Sequence, residues 1–202
     1  MVSAEKIFVA AGRKSNADLL KVENTGVRTN AQGYIVVNEY LETSKQNIWA
    51  FGDAIGKAMF KHVANEEAVV AWRNAFHEKK TKMEYQTIPY AVFTYPEIAA
   101  VGMTEEEAKK QYQILVGTAR YSDVSKGEAM MEAEGFAKAI LEKQTGKIVG
   151  FHIIGPYAPM LIQEVINGMA LGGDIAYISQ GMHIHPALSE LILRTLGNLN
   201  EV

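Results

Sequence analysis

His185 stands directly before a proline and shortly ahead of a carboxylate, in the segment Gly181-Met182-His183-Ile184-His185-Pro186-Ala187-Leu188-Ser189-Glu190. A proline restricts the residue before it to extended backbone and leaves only a small penalty against the cis bond. His185 is therefore aimed in a set direction, and Glu190, on the first turn of an expected final helix, stands where it can hold the imidazole. A positioned His–Glu pair makes a general base that works near neutral pH. The same residues are compatible with a plain helix N-terminus that carries surface histidines. His183-x-His185 with a glutamate nearby has the look of metal ligands. However, Pro186 follows at once and no third histidine has a sensible spacing, so no metal is expected, and His183 is read as structural or channel-lining.

A second group lies far upstream, in Asn47-Ile48-Trp49-Ala50-Phe51-Gly52-Asp53-Ala54 and Met59-Phe60-Lys61-His62. The apolar run Ile48 to Phe51 reads as a buried strand that stops at Gly-Asp. Ligands bind at strand C-termini in α/β folds, and an acidic residue there commonly accepts a hydrogen bond from a polyol hydroxyl. Asp53 could equally cap a helix. The stretch from His62 to about Lys80 reads as that helix, and its first amides could donate to a ligand oxygen that carries negative charge.

Val9-Ala10-Ala11-Gly12-Arg13-Lys14-Ser15-Asn16 resembles the A-x-G-R-x-x-N stretch of the flavin disulfide reductases. Phe51-Gly52-Asp53 resembles their second flavin motif, and Thr94 to Glu105 looks like the opening of their C-terminal dimerisation domain. His185-Pro186 with Glu190 is similar to that domain's catalytic pair. The motifs stand in the family's order and cover nearly the whole chain. Within the family the likeness is closest to dihydrolipoamide dehydrogenase, and glutathione and mercuric reductases are sister activities.

The resemblance implies a cofactor site in which Asp53 binds the ribityl chain of FAD. Met59, Phe60, Lys61 and His62 then lie beside the flavin pyrimidine, where backbone amides matter more than side chains. The family often has alanine in place of Lys61. Gly12 is the implied contact to the nicotinamide dinucleotide, whereas Arg13 is read as a surface ion-pair former. His185 is the implied base for a substrate thiol bound at the partner subunit's disulfide, with Glu190 stabilising the imidazolium. The implied whole is a cytoplasmic homodimer in cell redox homeostasis. It takes electrons from a free dithiol, or from the dihydrolipoyl group of a 2-oxoacid dehydrogenase-type complex, through a cysteine pair and FAD to NAD.

Composition bounds this reading. Net charge is −3 over 202 residues, which gives no electrostatic footprint for nucleic acid. No apolar run approaches the roughly 20 residues that span a bilayer. The chain has no cysteine and no G-x-G-x-x-G turn, although the family's cysteine pair and dinucleotide glycines precede the motifs found here. The expectation is a C-terminal piece, incomplete as an enzyme and, taken alone, a dimerisation module.

The elements follow from pattern. Residues 1–80 are expected to be the C-terminal portion of an α/β FAD/NAD-binding region, with strands at Lys6 to Ala11, Gly33 to Val37 and Ile48 to Phe51. Residues 81–202 are expected to be an α+β dimerisation domain, an antiparallel sheet with helices on one face. Strands are expected at Tyr90 to Thr94, Ile98 to Gly102 and Ile114 to Tyr121. Two more, Phe136 to Glu142 and Lys147 to Ile154, form a hairpin. Thr104 and Glu107 fit a capping box opening a helix to about Tyr112, and Asp123 to Glu128 reads as a mobile link. Further helices are expected at Met160 to Leu171, Ile175 to Ser179 and Leu188 to Leu196.

Overall fold

A computed structural model describes residues 2–85 and 87–202. The chain forms two compact units that part between Glu84 and Tyr85.

The first unit is mostly irregular. Its one α-helix, α1, spans Lys61–Phe76. Leu41, Val27, Ile35, Ala50, Ile55 and Ala71 form its small core. The chain before α1 meanders through isolated bridges, Thr29 to Ile35, Val37 to Thr43 and Glu42 to Trp49, rather than through the strands expected at Gly33 to Val37 and Ile48 to Phe51. Of the latter run only Ala50 is buried, while Ile48 and Phe51 are exposed. The strand expected at Lys6 to Ala11 does not form: Ile7 and Phe8 are 86% and 93% exposed. An apolar run becomes a strand only where neighbours accept its backbone hydrogen bonds, and among the described residues none pairs with this one. Helix α1 also ends four residues before the expected Lys80. Buried Asn74 donates from Nδ2 to the carbonyls of Tyr40 (2.9 Å) and Thr81 (2.8 Å), and its Oδ1 accepts the Thr81 amide (2.7 Å). That turns the chain back on itself after Phe76.

The second unit is a six-stranded antiparallel sheet, with β1 at Tyr90–Val92, β2 at Ile98–Gly102, β3 at Ile114–Arg120, β4 at Phe136–Glu142, β5 at Ile148–Ile154 and β6 at Leu199–Glu201, in the order β1-β2-β5-β4-β3-β6. The expected hairpin is present as β4 and β5. Strand side chains alternate between faces. Ala137, Ala139, Phe151, Ile153, Ala99 and Val101 point to one face. There they meet Ile162 and Val165 of α4 (Ala158–Ala170) and Leu191 and Ile192 of α6 (Glu190–Gly197). Burying each of these larger side chains contributes about 1.5–3 kcal/mol. Helix α6 lies so close to β3 that a Cβ at Gly117 would come within 2.3 Å of the Thr195 carbonyl oxygen.

The opposite face carries one short helix, α2 (Glu105–Lys109), whose Ala108 packs on Ile114, Val116 and Ile140. Its capping box forms as expected: Thr104 Oγ1 accepts the Glu107 amide and Glu107 accepts the Thr104 amide. Glu105 accepts hydrogen bonds from Lys109 (2.8 Å) and Lys138 of β4 (2.9 Å). These two, Lys109 first, hold its carboxyl down at about 2.

The segment expected as a mobile link is instead ordered. Tyr121–Asp123 form a 3-10 turn and Ser125–Ala129 a short helix, α3. Tyr121 is fully buried and donates to the Pro156 carbonyl at 2.8 Å; this burial pushes its hydroxyl far above the ordinary tyrosine range. The link is fixed because Tyr121 just before it and Val124 within it are both buried in the main core. The last strand, β6, was not expected. It pairs with β3, Leu115 opposite Glu201. A remaining four-residue helix, α5, spans Ala176–Ser179. Among the described residues no helix is long and apolar enough to cross a membrane.

Candidate functional site

The second unit brings His185 and Glu190 together. Leu188, Leu191 and Ile192 are buried in the core, which fixes the start of α6 and with it Glu190, the helix's first residue. The carboxylate is held twice: Oε2 accepts the Ala187 amide at 3.0 Å and Oε1 lies 2.9 Å from His185 Nδ1. The Ala187 amide, then the His185 contact, holds the Glu190 carboxyl below the usual carboxylate range, so Glu190 remains an acceptor. In a neutral imidazole the Nδ1 proton is then donated to Glu190, and the Nε2 lone pair is left as the base. The His185 side chain is 66% exposed, against 25% for Glu190. The bond joining His185 to Pro186 is cis.

His183 is held separately. Its Nε2 lies 2.6 Å from Glu164 Oε1 on α4, and its Nδ1 lies 3.0 Å from the Gly181 carbonyl. Each histidine thus has its own glutamate, and no group of three or more His, Cys, Asp or Glu side chains is placed to hold a metal among the described residues. A cleft of about 530 Å³ opens beside the pair, lined among others by Asp123, Ser125, His183, Glu190, Arg194 and Asn198.

The first unit brings the remaining candidates together through Arg13. Its guanidinium donates to Asp53 Oδ2 at 2.9 Å and also to the Met59 carbonyl. Arg13 therefore forms an ion pair, as read from the sequence, and its partner is the aspartate singled out there. Asp53 does not cap a helix. It sits in a 3-10 turn, Gly52–Ile55, with its side chain about half exposed. Gly52 adopts a positive φ of 69°, a conformation that favours glycine, and its amide donates to buried Glu67 Oε2 at 2.5 Å. Gly12 has a φ of 126°, and nothing would lie within 4 Å of a Cβ there, so its backbone is open to close approach. Phe60 and His62 stack, ring centroids 5.3 Å apart. Lys61 turns its side chain along α1 to Asn65. The helix start at Lys61 has an extended Phe60 before it and no side-chain cap.

Sequence reasoning missed Glu67 and Glu164. A signal for Glu67 existed, because Val63, Glu67, Ala71 and Asn74 are the buried positions of α1 at helical spacing. A carboxylate in such a stripe has a buried partner. Glu164 gave no signal, since its partner is 19 residues away and in a loop.

Two family models match: "Pyridine nucleotide-disulphide oxidoreductase, dimerisation domain" over residues 88–195 and "Pyridine nucleotide-disulphide oxidoreductase" over residues 1–75. Among curated relatives, dihydrolipoyl dehydrogenase 3 of Haloarcula marismortui is 37% identical, over 99% of this chain and 42% of its own length. Mycothione reductase of Mycobacterium tuberculosis is 40% identical, over 98% of this chain and 44% of its own. This chain therefore spans about two fifths of the length of these relatives. Among solved structures, the HOCl-induced flavoprotein disulfide reductase RclA of Escherichia coli superposes with a TM-score of 0.85 at 28% identity, covering 93% of this chain and 44% of that one.

Proposed function

The chain belongs to the pyridine nucleotide-disulphide oxidoreductases, and on that premise we propose that it is the interface and base-supplying part of a homodimeric, FAD-dependent dihydrolipoamide dehydrogenase. Residues 81–202 then form the dimerisation domain, and residues 1–80 contribute the end of the cofactor-binding region. The observation that carries the reading is the His185–Glu190 pair: Nδ1 engaged at 2.9 Å, Nε2 without a hydrogen-bond partner among the described residues, and the ring open to solvent.

The chemistry asks for such a base. A free thiol with a pKa of about 8.5 is mostly protonated at neutral pH, yet the thiolate is the attacking species in disulfide exchange. Nε2 of His185 takes the thiol proton, and the thiolate attacks one sulfur of a disulfide. The second thiol then closes the substrate disulfide and leaves a reduced cysteine pair. Glu190 keeps the resulting imidazolium hydrogen-bonded. This chain has no cysteine, so the cysteine pair has to come from elsewhere in the enzyme.

The first unit suits FAD in its donor chemistry. Asp53 offers a half-exposed carboxylate to a polyol hydroxyl, and the uncapped start of α1 offers amides to a ring carbonyl. When bound, FAD supplies the two-electron relay between the cysteine pair and the nicotinamide, taken here as NAD. Glu67 and Arg13 hold the Gly52–Asp53 turn and Met59 in place. Gly12, with its open backbone, is the position proposed to approach the dinucleotide.

Dimer formation is supported by the family's dimerisation-domain match and by apolar side chains left on the second unit's surface. Met160 is 73% exposed, Met182 100% and Ile184 77%. Patches of this kind mark interfaces.

The test is dihydrolipoamide-dependent reduction of NAD by the flavin-loaded full-length enzyme, alongside His185→Gln. Turnover that collapses in the variant supports both substrate class and base. Bound flavin with no turnover leaves the family and removes this substrate. The mycothione reductase relative, 40% identical, favours a second reading in which the same residues serve reduction of a low-molecular-weight disulfide. Nicotinamide oxidation on addition of such a disulfide, with no reaction of dihydrolipoamide, selects it.

A further inference from the structure

Within one copy of the chain, and apart from the dimer surface proposed above for Met182 and Ile184, the segment that presents His185 has few tethers. Gly181, Met182, Ile184, His185 and Pro186 are all exposed, and His183 is the member of this run that is not. Among the described residues, no main-chain amide from Met182 to His185 donates a backbone hydrogen bond. The His183 side chain, only 9% exposed, carries the tether to α4. Its Nε2–H donates to Glu164 Oε1 across 2.6 Å, and its Nδ1 lies 3.0 Å from the Gly181 carbonyl oxygen. Glu164 itself is rigidly mounted, because its neighbours on α4, Ile162 and Val165, are buried under the sheet.

We propose that Glu164 and His183 form a clamp that ties the 181–186 segment to α4, and that both are positioning residues for His185. Glu190 orients the His185 ring from the downstream side, where α6 begins. The clamp fixes the backbone from the upstream side. With both in place the direction of Nε2 is set by two elements that pack on the same core. With the clamp gone, no side-chain hydrogen bond among the described residues ties the 181–186 backbone to α4, and within the chain Glu190 is left as the hold on the His185 ring. This assignment rests on the proposed base role of His185 only for its effect on turnover; the effect on His185 order does not depend on it.

Two measurements test it. In the 202-residue chain, the ring resonances and relaxation of His185 are compared in wild type, Glu164→Ala, Glu164→Gln and His183→Gln by NMR, with methyl signals of Ile153 and Leu191 reporting the core. Glu164→Ala and His183→Gln should broaden or shift the His185 ring signals while the core signals stay in place. Glu164→Gln, which keeps a carbonyl acceptor, should restore most of the wild-type pattern. In the full-length flavin-loaded enzyme, Glu164→Ala should lower kcat for dithiol oxidation by roughly tenfold, since small misplacement of a catalytic group is costly. KM and flavin content should not change.

An unchanged His185 ring in Glu164→Ala with an intact core overturns the clamp. So does collapse of the core in both Glu164→Ala and His183→Gln, which would make the contact a fold element. A loosened His185 in a wild-type enzyme background that shows no dithiol turnover keeps the clamp and removes the dithiol reading instead.

Discussion

Two base–acid pairs in this chain share the same separation and differ in almost everything else. Arg13 and Asp53 stand 2.9 Å apart, as do His185 and Glu190. In the first pair both side chains are about half exposed, in a unit held by isolated bridges and one long helix. An exposed pair of that kind contributes about 0–1 kcal/mol. In the second, the carboxylate is mostly covered, accepts a backbone amide as well, and opens a helix whose next two residues are fully buried. The separation is therefore uninformative; what each acid is mounted on decides how firmly it can direct its partner. Asp53 and Arg13 can exchange one another for a ligand at low cost, which suits a binding residue. Glu190 cannot easily leave, which suits an orienting one.

The comparison can be broken most decisively at the base. His185→Gln is expected to lower dithiol turnover of the full-length enzyme by about 10²–10⁴-fold, the range for a general base, with flavin content unchanged. Loss of flavin in that variant would show that the segment supports the fold rather than the chemistry. The mounting comes next. Leu191→Ala, at a fully buried position behind Glu190, is expected to cost about 2–5 kcal/mol in denaturant unfolding. Phe8→Ala, at a 93% exposed position of the first unit, should stay within about 0.5 kcal/mol. Equal losses would mean that the two units are mounted alike.

Smaller effects sharpen the contrast. Glu105 has its carboxyl lowered from 4.5 to about 2 by Lys109 and Lys138. A lowered folded-state pKa stabilises above the unfolded value and is lost as pH falls. The Glu105 contribution should be full above about 4.5 and fade toward about 2. Glu105→Gln is thus expected to lower Tm modestly at neutral pH and by progressively less as pH falls through about 2, read by thermal scans across that window. Least of all, Arg13→Ala should shift stability by less than about 1 kcal/mol, while weakening flavin retention if the Gly52–Asp53 turn serves the cofactor. A flavin affinity unchanged within error would count against that role.

Legibility followed the range of the interactions involved. Strand β2 at Ile98–Gly102 and the β4–β5 hairpin stand where alternation and turn residues placed them. The Thr104–Glu107 box formed because both partners lie within one helical turn. Lys6 to Ala11 has the composition of a strand and lacks a partner, which no local pattern can report. Asp123 to Glu128 reads as a link because its polar residues mask the effect of Tyr121, whose burial beneath Pro156 depends on residues 35 positions away. At the candidate site, the spacing of His185-Pro186 and Glu190 allowed the contact that forms, while their role came only from the family resemblance. Arg13 was legible as an ion-pair former, but its partner was not.

From the sequence alone come the family, the antiparallel character of the second unit, the capping box and the His–Pro–Glu spacing. All of these reside in motifs or in patterns a few residues long, where backbone geometry leaves little choice. The tertiary structure alone decided that Arg13 meets Asp53 across 40 residues, that Glu67 turns inward to the Gly52 amide, that β6 closes on β3, and that Glu164 holds His183. Those partners are chosen by which side chains the packed elements bring within a few ångströms of each other, and that choice is made by burial of the whole chain rather than by any segment of it.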